Sequence, residues 1–403
     1  MHRKLMKWLA LFAGVLVLGL VVLVVRAKWI LDRSYAHVAH PPIRADRSES
    51  AVKRGEMLFQ SLCIECHGGA DGRATGKHLA EAPAFLGTFY SANLAHPEHG
   101  VHRRTDGELA RTLRAAVLPD GRFSPVMSAF AALSDHDIAA ILGYLRSRPP
   151  ELEPAGTAQP RSNLSLVGEL ILTVIAGARV QEQAAPVPMP EKAATVEYGR
   201  YMAQVLDCVG CHTEGFSGDK MAHPQAFAGG FEFMDPTGTP IWSKNITMDP
   251  ETGIGRWSVD GFERAVTRGI TPQGYLVRKP MPLFARLDRT DIEALHRFLQ
   301  SMPAVHQANR AGGHELKRAL PNDSAEEIFV RVGCSTCHGT GAPFRDKLRG
   351  ALGKSDAEVT AWILDPQALK PGSSMPSFEH ALDRKQAERL AKYVKTLANG
   401  SDG

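Results

Sequence analysis

From residue 8 to residue 25 every position is apolar or glycine, and Arg3, Lys4 and Lys7 on one side and Arg26 and Lys28 on the other bracket the run. At about 1.5 Å per residue such a run nearly spans a bilayer's hydrocarbon core, and Trp29 and Ile30 extend it. The pattern therefore predicts a membrane anchor within residues 1–33. A cleaved secretory signal is the alternative, but its apolar region is usually shorter, and the best small-residue cleavage site, at 25–27, is poor. Basic residues flank both ends, so charge does not set the orientation.

After the anchor the pattern becomes a threefold repeat of short amphipathic helices. Each unit opens with a helical segment, at 53–61, 196–206 and 325–332. Each closes with a longer apolar-periodic helix whose start is marked by Ser134 with Asp137, Asp288 with Asp291, and Asp383 with Gln386. That spacing is the one a capping box uses, or its carboxylate variant. The closing helices carry Tyr144, Phe298 and Tyr393, and Gly55 with Phe59 is expected to meet Tyr144 where first and last helices cross. Between units, 148–160 and 184–192 are rich in Pro, Ala and Glu and read as semi-extended spacers. The apolar stretch 164–180 contains Glu169 and is short for a second span, so it is expected to pack between domains or lie on the membrane surface. Residues 306–320 form a polar, basic third linker. The resulting division is anchor 1–33, domain 48–149, linker 150–192 with an apolar helix at 164–180, domain 193–304, linker 305–321 and domain 322–399.

Composition agrees with a mainly α chain. The 403 residues are 44% hydrophobic and 22% charged, which allows buried cores and excludes a disordered chain. Aromatics make up only 7%, with 37 Gly and 26 Pro, which suits helices on long connections better than a β-sandwich.

All six cysteines fall into one motif, Cys-x-x-Cys-His, at Cys63, Cys66 and His67, at Cys208, Cys211 and His212, and at Cys334, Cys337 and His338. This reads as a site of covalent haem c attachment. Two thiols one helical turn apart reach two vinyl groups on one porphyrin edge, and the adjacent imidazole lies under the iron. A zinc site needs four ligands per metal, and a redox dithiol has no use for three identical histidines. Three covalently bound haem c groups are therefore expected. Such attachment takes place outside the bacterial cytoplasm, which puts residues from 34 onward in the periplasm and the anchor in the inner membrane. The formal charge of +4 would be brought near neutrality by the haem propionates, so no nucleic-acid partner is expected.

Downstream of each motif stands Met-x-x-Phe, at Met127, Met281 and Met375. A thioether opposite the histidine fills the coordination sphere and raises the potential, so the iron ligands are expected to be His67 with Met127, His212 with Met281, and His338 with Met375. His78, His96, His99 and His102 are rivals to Met127. Carbonyls near Pro83 and Pro343 are candidates to accept the other imidazole proton. Asn93 and Asn245 are candidates for a haem propionate or for a turn cap. Trp257 is placed beside the second haem with Arg256 near a propionate, or else in an ordinary core.

Residues 90–94 (Tyr-Ser-Ala-Asn-Leu), 245–250 (Asn-Ile-Thr-Met-Asp-Pro), 253–257 (Gly-Ile-Gly-Arg-Trp) and 279–282 (Lys-Pro-Met-Pro), with closing stretches 144–147 and 298–301, resemble one family. It is that of the membrane-bound three-haem cytochrome c subunits of alcohol, aldehyde and gluconate dehydrogenases. The third unit is similar to a small class I cytochrome c. The resemblance implies three tandem class I cytochrome c domains behind the N-terminal transmembrane helix. It further implies an electron-transfer subunit between a dehydrogenase catalytic subunit, or another respiratory redox protein, and the quinone and oxidase chain, with ubiquinone as a candidate partner. No catalytic residues are expected. The rival reading is a peroxidase-like haem enzyme with one open iron, in the first domain.

Overall fold

The protein is described here as a computed structural model covering residues 2–69, 72–80, 82–180, 185–216, 219–234, 240–278, 280–310, 317–340, 342, 344–370, 375, 377–379 and 381–400. Lys279 and Pro343, which figured in the sequence motifs, lie outside these residues.

Helix α1 (His2–Asp32) is, among the described residues, the one helix long and apolar enough to cross a membrane. Leu9, Phe12 and Leu16 stand exposed along it, as a lipid-facing helix requires, whereas Ala27 and Ile30 near its end are buried. There the helix is seated in a small core with Tyr35, Val38, Val117 and Phe123. Tyr35 donates its hydroxyl proton to the Ile30 carbonyl at 2.9 Å, and the Arg33 guanidinium lies 4.0 Å from the Trp29 ring centroid.

The first unit holds α2 (Glu49–Leu58), α3 (Asp106–Ala115) and α4 (Asp135–Arg146). Ser134 caps α4 by accepting from the Asp137 amide, as its spacing predicts. Helices α2 and α4 cross so closely that a Cβ on Gly55 would collide with the Ala140 carbonyl, and Phe59 packs on Tyr144 with centroids 5.5 Å apart. Past this unit, α5 (Leu166–Leu170) continues as a wider turn through Ile175. It stops short of the expected 180 because Gly177 turns the chain at φ +66°. The segment packs against the base of α1, where Lys28 pairs with Glu169 at 3.2 Å, and a two-residue antiparallel ladder joins Gly87–Thr88 to Asn163–Leu164.

The second unit repeats the first with α6 (Val196–Val205), α7 (Val259–Arg268) and α8 (Arg289–Ser301). Gly199 abuts the Ala294 carbonyl as Gly55 abuts Ala140, and Asp288 with Asp291 forms the anticipated capping box. The third unit has α9 (Ala325–Arg331), α10 (Asp356–Leu364) and α11 (Arg384–Asn399), with Phe329 on Tyr393 at 5.6 Å and a capping box at Asp383 and Gln386.

The stretches between units are bound down. Leu152 is buried, the Ala155 amide donates to Ala95, and the Val187 and Asp135 backbones meet. One continuous core runs through the first and second units, while the third has a second cluster that takes in Ile270 and Leu276 of the second unit.

Because Gly199 has no room for a Cβ, Gly199→Ala should cost about 1–3 kcal/mol of stability. Gly350→Ala, at a site where a Cβ would meet nothing within 4 Å, should leave stability unchanged. Urea unfolding followed by far-UV circular dichroism distinguishes the two.

Candidate functional site

Each Cys-x-x-Cys-His occupies one helical turn directly after the opening helix of its unit. In the first unit a wide turn, Phe59–Cys63, feeds the turn Ile64–His67. In the others Asp207 and Gly333, both left-handed, redirect the chain into Cys208–Cys211 and Cys334–His338. None of the six cysteines is paired in a disulfide. Burial pushes the Cys63, Cys208, Cys211 and Cys334 thiols up to about 12. A reactive dithiol needs the opposite shift, so the redox-pair reading loses its chemistry. Among the described residues no three His, Cys, Asp or Glu side chains converge as a metal site. A His/Met pair is not of that composition.

The three histidines share one arrangement. Nδ1 of His67 donates to the Ala92 carbonyl at 2.7 Å, Nδ1 of His212 to Lys244 at 2.7 Å and Nδ1 of His338 to Phe344 at 2.8 Å. A carbonyl only accepts, so the proton sits on Nδ1 and the Nε2 lone pair is left for a metal. Burial lowers the pKa of all three imidazoles and keeps them neutral, the form that ligates.

Of the carbonyls expected near Pro83 and Pro343, the first is corrected: Pro83 accepts from the Leu86 amide instead, and Ala92 takes its place. In the third unit the acceptor is Phe344, next to Pro343. Ala92 is carried by a loop pinned where Ser91 donates its hydroxyl proton to the Cys66 carbonyl at 2.6 Å. In the first two units the accepting residue directly precedes the repeated asparagine. Asn93 donates to the Ala155 and Thr157 carbonyls, and Asn245 to the Val305 carbonyl and Thr252 Oγ1. Their amide protons are thus spent on the chain, and the propionate reading gives way to the loop-tying one. The recurring Ser-Ala-Asn and Ser-Lys-Asn were the available signal for the carbonyl.

The first two motifs line one largely apolar cavity of about 1790 Å³. Cys63, Cys66, His67 and Met127 contribute to its wall together with Cys208, Cys211, His212 and Met281. A large, mostly apolar space with two thiols, a neutral imidazole and a thioether at each end fits two porphyrins. Met127 lies on the tight helical turn Pro125–Ala132, and the Met281 amide donates to the Arg278 carbonyl. Of the rivals, His96 and His99 line the cavity as a stacked pair 4.9 Å apart. His78 packs on Tyr90, and neither it nor His102 contributes to the wall. Trp257 lines the cavity, whereas Arg256 is exposed and outside it. The third motif sits in the other core cluster, where Cys334 is buried with Leu348, Phe378 and Ile270 of the second unit and Met375 packs half-buried against the cluster.

The second motif has an accessory pair that the spacing did not disclose. Asp207 holds φ +53° beside Cys208, and burial lifts its carboxyl to about 6 despite Lys220 nearby. Lys220 donates to the Gly210 and Thr213 carbonyls at 2.5 and 2.9 Å and lies 4.2 Å from the Phe231 ring centroid.

Comparison with known proteins gives related readings. The family model of cytochrome C oxidase, cbb3-type, subunit III, matches residues 50–145 and 321–394. The cytochrome c subunit of alcohol dehydrogenase (quinone) from Gluconobacter oxydans is 42% identical over 29% of this chain and 24% of its own length. The gluconate 2-dehydrogenase cytochrome c subunit from Pantoea cypripedii is 38% identical over 29% of this chain and 25% of its own. The fructose dehydrogenase cytochrome subunit from Gluconobacter japonicus is 31% identical over 34% and 28%. The matched stretches thus span less than a third of these relatives.

Replacing Asn245 by Ala would leave the Thr247 amide and the Val305 carbonyl without their present side-chain partner. We expect a loss of about 1–3 kcal/mol on unfolding and faster amide hydrogen exchange at 245–252, the stretch that follows the carbonyl holding His212.

Proposed function

We propose that this chain, which is similar to cytochrome c subunits of dehydrogenases, is an electron-transfer component with covalently bound haem c, a membrane-anchored triheme relay. In this reading Cys63 and Cys66, Cys208 and Cys211, and Cys334 and Cys337 each bind one haem through thioethers. His67, His212 and His338 are the proximal ligands and Met127, Met281 and Met375 the distal ones. The bound groups supply a ferric/ferrous couple. The protein's part is to hold the imidazole by its Nδ1–carbonyl bond, present a thioether and keep water out.

The observation that carries this reading is the single apolar cavity in which two attachment motifs, their pinned imidazoles and two methionines share the wall. Leu31 and Asp32, at the end of α1, line the same cavity, which supports a first haem close to the membrane surface. Helix α1 serves as the anchor in the bacterial inner membrane, with the haem-bearing units in the periplasm. The donor is a dehydrogenase catalytic subunit or another respiratory redox protein, and the acceptor is the quinone and oxidase chain, with ubiquinone as the membrane-borne candidate. The names of the relatives support that placement.

The test is spectroscopic. The pyridine haemochrome of the purified chain should report three haems that acid acetone does not extract, and a count below three overturns the triheme reading. Met281→Ala should lower one of three resolved potentials and open one haem to carbon monoxide or cyanide. An unchanged titration removes Met281 from the ligand set. Prompt stoichiometric ligand binding by the unaltered protein would instead favour a haem enzyme with an open iron in the first unit.

A further inference from the structure

The face through which the first two units meet is built from corresponding residues. Arg54 and Tyr198 each directly precede the glycine that admits the closing helix, Gly55 in one unit and Gly199 in the other. Asp137 and Asp291 occupy the same third position of their closing helices. These four meet one another. Arg54 donates Nε and Nη2 to the two carboxylate oxygens of Asp137, both at 2.9 Å, and Nη1 to the Tyr198 hydroxyl at 3.0 Å. Tyr198 donates to Asp291 at 2.7 Å. Tyr201 donates to Asp137 at 2.6 Å and accepts from the Ser134 amide at 3.0 Å.

The network is dry: the side chains of Arg54, Asp137 and Asp291 are 10%, 0% and 2% exposed. Apolar residues of similar volume would hold two cores together about as well, because desolvation offsets most of the Coulombic gain of a buried ion pair. A bidentate guanidinium and two aimed hydroxyls add something apolar packing lacks, a single register and angle.

The third unit has no counterpart. At the position of Asp137 and Asp291 it carries Gln386, whose amide donates to the Leu320 carbonyl next to its own opening helix. Its core is a second cluster, which touches the second unit only through Ile270 and Leu276, while the first two units share one continuous core. On the far side of the locked interface the two attachment motifs approach each other. Both line one cavity.

We propose that Arg54, Asp137, Tyr198, Tyr201 and Asp291 form an inter-unit lock that holds the attachment motifs at 63–67 and 208–212 at a close, fixed separation. The two haems bound there then behave as one coupled pair, and the group bound at 334–338 stands apart. This rests on the haem reading given above. The five are positioning residues, and none of them lines the cavity.

Circular dichroism in the Soret band tests the lock on the full-length protein in detergent, because two haems at fixed close range give a bisignate couplet and isolated haems do not. The unaltered protein should show the couplet. Tyr198→Phe combined with Tyr201→Phe should lose most of it at unchanged haem content and unchanged far-UV signal. Three haems with no couplet in the unaltered protein would overturn the pair and leave the relay standing, whereas fewer than two haems would overturn both. A couplet that persists in the double variant, and also in Asp137→Asn, would overturn the lock. If the variants do not take up haem, a redox titration of the unaltered protein decides: three independent one-electron waves, insensitive to each other's state, would overturn the coupling.

Discussion

Everything in the site depends on an imidazole held by a backbone carbonyl. In each of the three motifs Nδ1 gives its proton to a main-chain oxygen, which sets the tautomer, orients the ring and frees Nε2. The acceptor stays in place only if its loop does, and this explains much of the surrounding structure. Asn93 and Asn245 tie the accepting loops to the strands of chain leaving their units. Gly76 and Gly229, at φ +72° and +80°, bring their amides onto the His67 and His212 carbonyls. A residue with a Cβ resists that conformation, so glycine at both places is a consequence of the same constraint.

The three units share a plan without sharing a state of association. The helix crossing at Gly55 and its copy at Gly199 bring opening and closing helices into contact tighter than any side chain would allow, so the attachment turn that follows has one position. Around that common frame the first two units have merged their cores, and the third packs a separate cluster that reaches the second unit only at Ile270 and Leu276. The anchor helix extends the merged body, since its last turns are buried with Tyr35 and Val117 and its final residues reach the cavity wall. The end of the apolar helix, the first motif and the second motif are thereby one mechanical unit.

Much of this was legible from local pattern. The cysteines and the histidine of each motif lie within one helical turn, so their grouping needs only their spacing. The capping positions at Ser134, Asp288 and Asp383 are equally local, and all three behave as their sequence predicts. The approach of Gly55 and Phe59 to Tyr144 was readable because a small residue opposite an aromatic one has few other uses. The carbonyl partners were harder, since a backbone acceptor leaves no mark on residue type; Pro83 attracted the assignment that belongs to Ala92. The asparagines were conspicuous, yet their role turned on what lay within reach of the amide, and that was the departing chain.

The chain's order of residues, taken alone, determined the long apolar helix, the helical class, the three Cys-x-x-Cys-His turns and the methionines that recur after them, because each depends on neighbours a few positions apart. Only the tertiary structure decided which units fuse, which carbonyls receive the imidazole protons and that two motifs look into one cavity. Arg54 and Asp137 lie 83 residues apart and Arg54 and Tyr198 144 apart, so nothing short of the folded chain tells a buried bidentate pair from two ordinary surface charges.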